Sequence, residues 1–129
     1  MRTAATVLLT VILVGGVLQL GLGVSFWTGA GAGLVPVHML LGTLLVLSLW
    51  ALSALALIAR TPTGPAIAGF VLGAVVLAYG MTQERVLPGS LHWIAQMLHL
   101  LFGLSLIGLG LRLGFSIRAR TQSRIPSAT

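Results

Sequence analysis

A chain of 129 residues with 57% hydrophobic and only 6% charged side chains is not a soluble globular domain, in which about a quarter of residues carry charge. Its mean hydropathy of +1.11 marks an integral membrane protein with no room for a separate soluble domain. The net charge of +6 is no nucleic-acid footprint. Its seven basic residues are all arginine, and Arg112, Arg118, Arg120 and Arg124 fall at or beyond the last apolar stretch, where such residues set topology and meet anionic lipid. Cysteine is absent, which excludes disulfides, thiolate metal sites, Fe–S clusters and covalent haem attachment through CxxCH.

Four apolar runs follow in order. Ala5–Phe26 is the first. Its short basic start also suits a secretory signal, but the run is long for one and reads as a helix. Trp27 marks an interface, and the GAGAG run 29–33 is a turn. The second span is 36–59, with Pro36 suited to a first helical turn. TPTGP (61–65) stops one helix and admits the next, so 66–81 is the third span. In that span Gly69 and Gly73 form a GxxxG pair suited to close helix packing.

The loop that follows, 82–90, holds the only acidic residue, Glu84, beside Arg85. The fourth span is 91–113, long enough for the roughly 20 residues that cross a bilayer. Residues 1–115 therefore make one four-span domain, and 116–129 is a polar, basic, cytoplasmic tail expected to fray. Short loops make sequential helices antiparallel neighbours, so the fold class expected is all-α, an up-down four-helix membrane bundle.

Arginines set the orientation. With the N-terminus inside, Arg2, Arg60, Arg112, Arg118, Arg120 and Arg124 are all cytoplasmic, and only Arg85, beside Glu84, is outside. N-in, C-in in the plasma (inner) membrane is the expectation. His38, His92 and His99 then all lie in the outer half of the membrane.

Polar groups inside a membrane are costly and mark function by default. The fourth span carries His92, Gln96 and His99 in its first half. Residues 92 and 99 are two turns apart and share a helix face, Gln96 lies close to it, and Gly103 and Gly110 continue it. His38 opens HMLLG and His99 opens HLLFG, so spans two and four look like a weak repeat of two hairpins, each giving one histidine. Two imidazoles on facing helices suit a low-spin haem iron, whose chemistry follows its axial ligands and surroundings. Gly42 and Gly103, one turn on from each histidine, would leave room for the flat macrocycle, and Arg85 is the candidate partner for its propionates.

The partner of His38 has two candidates. Equal depth favours His92, which lies 20 residues before Arg112 as His38 lies 22 before Arg60. The HxxxG repeat favours His99, as does its position 19 residues before Arg118. The reading takes His99, with His92 at the haem edge or the surface. A structural role also stands open: His38 and His92 are near helix ends, and His99 has Gln96 or a backbone carbonyl as alternative partners. Met39 and Met97 raise copper as a ligand set, but successive residues point to different helix faces, so Met39 does not readily share a site with His38.

With VHMLLGTLLVLSLW and LHWIAQMLHLLFGL, spans two and four resemble half of a heme A synthase and, more loosely, other small cytochrome b-type membrane proteins. The resemblance covers roughly 35–50 and 91–110. It implies haem bound near the outer surface by histidines on the second and fourth helices of a four-helix half, here His38 and either His92 or His99. The chain departs from the family: one half only is present, neither histidine is followed by arginine, and its sole carboxylate is in a loop. Haem binding carries over better than synthase activity, so enzymatic action is left open.

The function expected is electron transfer through haem b, with a quinone, a partner membrane subunit or a second copy as exchange partner. The rival is a non-catalytic accessory subunit of a larger respiratory or photosynthetic membrane complex. Trp27, Trp93 and Tyr79 are expected in an outer aromatic belt, and Ser48, Ser53 and Ser105 on backbone carbonyls of their own helices.

Overall fold

The computed structural model describes residues 1–122. Among them every regular element is helical: α1 (Arg2–Trp27), α2 (Val35–Ile58), α3 (Thr63–Thr82) and α4 (His92–Gln122), joined by short 3₁₀ turns. All four are long and apolar enough to cross a membrane, which makes this a multi-pass membrane protein. Helices are what such a sequence must form in lipid, where backbone N–H and C=O groups have no water to bond.

The breaks fall where the backbone demands them. Gly29 and Gly31 take positive φ (77° and 80°) in the α1–α2 turn, a region that costs glycine nothing. The α2–α3 turn is made differently. Arg60 itself takes φ 57°, its N–H bonds Leu57 O at 3.0 Å, and Thr61 N–H bonds Ala56 O at 3.0 Å. This is the left-handed helix ending normally given to glycine, and an L residue there costs roughly 1–2 kcal/mol.

Each helix packs on the next in sequence, α1 also packs on α4, and α2 meets α4 across the middle. The fully buried side chains Ile12, Leu49, Leu52, Leu106, Leu113 and Ile117 fill the centre. Glycines set the closeness of approach. A Cβ at Gly110 would lie 2.9 Å from Ile12, one at Gly16 2.7 Å from Ile107, and one at Gly15 2.7 Å from Leu45. The GxxxG pair packs as expected: Ser53 sits over Gly69 and the Trp50 indole over Gly73.

Among the described residues, a side chain of each of α1, α2 and α3 reaches a backbone carbonyl of the next helix. Gln19 Nε2 donates to His38 O at 3.0 Å, Trp50 Nε1 to Phe70 O at 3.1 Å, and Tyr79 Oη to Ala95 O at 3.2 Å. A helical carbonyl has a second lone pair for this purpose.

α4 runs further than the sequence pattern suggested. The span was expected to end at Leu113 with a frayed tail from Ser116, but the helix continues to Gln122. No proline or glycine interrupts 115–122 and arginine favours helix. Ile117 is fully buried and Gly114 lies against Leu9 of α1, so the extension is packed. Arg124 lies outside the described residues.

Gly73→Ala is expected to lower the melting stability of the detergent-solubilised protein by about 1–3 kcal/mol, because the added Cβ meets a rigid indole. Gly21→Ala, with nothing within 4 Å of its Cβ, should be neutral or stabilising by up to about 1 kcal/mol. Equal effects of the two, measured by thermal denaturation, would contradict this packing.

Candidate functional site

Of the residues singled out by sequence, the structure brings together His38 of α2 and His99 of α4. Their ring centroids are 6.1 Å apart, with planes tilted by 48°. Both rings are partly buried, and Nδ1 of each is buried without a hydrogen-bond partner. A buried polar atom left unsatisfied costs about 1–3 kcal/mol, which makes the pair the candidate site.

Aromatic rings close the pair in. Phe26 meets His38 edge-on at 5.3 Å, and Tyr79 stacks on His99 at 6.1 Å with planes 15° apart. Phe102 in turn meets Tyr79 edge-on at 5.3 Å. Gly80 gives His99 its room, since a Cβ there would lie 3.2 Å from His99 Cε1. The expected belt position of Tyr79 is therefore corrected. Its hydroxyl is tied to Ala95 of α4 and its ring lies against a histidine, whereas Trp27 and Trp93 are exposed at 49% and 55%. The tyrosine turns inward because a carbonyl and an imidazole there use both its polar and its flat surface.

The other candidates lie elsewhere or play smaller parts. His92 opens α4 and bonds Val86 O of the preceding loop through Nδ1 at 3.3 Å. Gln96 is half-buried and, among the described residues, makes no hydrogen bond. Arg85 is exposed in the α3–α4 connection. The two glycines of the repeat differ. Nothing lies within 4 Å of a Cβ built on Gly103, but a Cβ on Gly42 would lie 2.9 Å from Gln19 Nε2. Met39 is 51% exposed, which agrees with its facing away from His38. Ser48 and Ser105 bond their own helices as expected, while Ser53 Oγ is buried unpartnered over Gly69.

Gln19 is the residue the sequence reading missed. Its amide nitrogen holds the His38 carbonyl, and its Oε1 is a third buried atom without a partner. The signal was available: it is the one amide in the first span, and lone polar residues in a span bond across helices or line a site.

Chemically, the pair suits metal ligation. Two imidazoles that each place a nitrogen about 2 Å from one metal have centroids roughly 5–6 Å apart, depending on the angle between them. Gln19 fills the space beside Gly42 that the sequence reading left for a macrocycle, while nothing lies within 4 Å of a Cβ built on Gly103. No cluster of three or more His, Cys, Asp or Glu occurs among the described residues. The apolar groove of about 420 Å³ lined by Val17, Leu18, Gly21, Leu22, Val37 and Leu41 includes neither histidine. Comparison of the chain with family models, with curated proteins and with solved structures finds no match.

Proposed function

We propose that this protein is a small membrane cytochrome: an up-down four-helix bundle, N-in and C-in in the plasma membrane, that holds haem b between α2 and α4 in the outer half of the bilayer. The observation that carries the reading is the meeting of His38 and His99, two imidazoles 6.1 Å apart at their centroids with buried, unpartnered Nδ1 atoms. His38 and His99 would hold the haem iron, and Arg85 would meet the propionates. When bound, haem supplies a one-electron iron couple whose potential follows its axial ligands and its shielding from water. The chain's own part is to hold the imidazoles, orient them and keep water out. Tyr79 stacks on His99 and Phe26 abuts His38, so each ring is braced before any ligand arrives. A quinone, a partner subunit or a second copy takes the electron. Synthase activity is not part of the proposal, because Glu84, the sole carboxylate side chain, is exposed in the α3–α4 connection.

The test is a dithionite-reduced minus oxidised visible spectrum of the purified protein expressed with haem supplied, with pyridine haemochrome to name the haem. A sharp α-band is expected, lost in His38→Ala and in His99→Ala and retained in His92→Ala. A flat spectrum would turn the reading to the accessory-subunit alternative. Loss in His92→Ala with retention in His99→Ala would exchange the ligands.

Gly80→Leu should cut haem retention severalfold, because the added side chain must push His99 aside. Tyr79→Phe should keep the haem, since the ring remains, while stability falls by about 0.5–1.5 kcal/mol for the lost hydrogen bond. Haem content per mole of protein and a thermal melt separate the two.

A further inference from the structure

Arg112 stands on the side of α4 that the bundle does not use. The buried side of that helix runs through Leu106, Gly110, Leu113 and Ile117. At about 100° per residue, Arg112 falls almost diametrically opposite that line. It is exposed there, on one stripe with Leu101, Ser105, Gly108 and Phe115, which are exposed too. Among the described residues its guanidinium has no hydrogen-bond or ionic partner.

Packing fixes the depth of Arg112. Gly69 of α3 lies against both Leu113 and Ser53, while Gly110 lies against Ile12 and Gly114 against Leu9. Arg112 is therefore level with Ser53 of α2, with Gly69 of α3 and with the stretch of α1 between Leu9 and Ile12. Arg2 and Arg60 are each seven residues further out, and α3 begins at Thr63, six residues before Gly69. That distance is about 10 Å of helix. With 20 residues, α3 is about 30 Å long, only just the thickness of the hydrocarbon core. The level of Gly69 lies inside the oil, and Arg112 lies there with it.

Arginines near the end of a span usually reach back to the surface. Arg112 starts in the wrong direction for that. Its Cα–Cβ bond tilts toward the N-terminus of α4, whereas the nearer surface lies toward Gln122, ten residues on.

A lone ionisable group in a membrane marks a function by default. A guanidinium pairs best with a carboxylate, through two parallel N–H donors. A second copy of this chain brings no carboxylate side chain to this level, since its only one, Glu84, lies past the far end of α3. We propose that the outward stripe of α4 around Arg112 docks a transmembrane helix of another protein that carries Asp or Glu at this depth. Gly108, one turn away, lets such a helix come close. The docking does not depend on haem.

The experiment places the full chain in phosphatidylcholine vesicles with a tryptophan-free, dansyl-labelled Leu–Ala transmembrane peptide carrying Glu two turns inside one end. Matched peptides carry Gln or Leu at the same position. Energy transfer from the three tryptophans of the chain to the dansyl group reports association. The Glu peptide should associate about tenfold more tightly than the Leu peptide, with Gln between them, as charge-assisted bonds exceed neutral ones. Arg112→Leu should abolish that order and melt no lower than the wild type, because its side chain faces away from the bundle. Arg60→Gly should keep the order. Equal association of the three peptides with the wild type would overturn the proposal and leave Arg112 to lipid headgroups. An order unchanged in Arg112→Leu, or lost in Arg60→Gly, would overturn it as well, by showing general attraction to the basic end.

Discussion

One side chain of each of α1, α2 and α3 donates to a backbone carbonyl of the next helix, and the arrangement of the protein rests on those three bonds. In lipid there is no hydrophobic force to press apolar helices together, because the surroundings are as apolar as leucine. What holds them is close contact and the few polar groups that cross. Gln19, Trp50 and Tyr79 tie α1 to α2, α2 to α3 and α3 to α4 in turn. Each such bond in a membrane is worth on the order of 1 kcal/mol, modest singly, but each also fixes a register. A helix pinned to its neighbour at one carbonyl is free neither to slide nor to turn.

The register then decides which residues meet. Gln19 pins α1 against α2 at His38 itself, and Tyr79 pins α3 against α4 one turn before His99. Two of the three ties therefore flank the histidine pair, and the third lies deeper, where Trp50 covers Gly73. The same residues that hold the bundle hold the site, so substitutions at the ties will move the imidazoles as well as the melting temperature. Apolar packing at Leu49, Leu52, Leu106 and Leu113 fills the remainder and carries no such information.

Much of this is legible in the residues alone. Four apolar runs, their breaks at glycines and prolines, and the meeting of spans two and four at one histidine each can be read from composition and from the HMLLG and HLLFG segments. Depth counting from the arginines gave His92 as strong a case as His99, and the fold separates them because His92 is drawn to Val86 O at the helix start. Tyr79 was misplaced since an aromatic near a span's end has the same local pattern whether it faces lipid or a partner helix. Gln19 was missed because an amide in a long apolar run has no periodic signature; only its neighbour across the interface shows its purpose. The end of α4 was misjudged because charge was taken to end the helix, whereas arginine is itself a good helix former.

That last point changes the outline of the molecule. α4 has 31 residues, about 46 Å at 1.5 Å per residue, against a hydrocarbon core of about 30 Å. A helix bound along its length to α1 cannot shed the difference by tilting alone. Its 31 residues exceed what one crossing needs, and Ile117 keeps the added turns locked against the bundle.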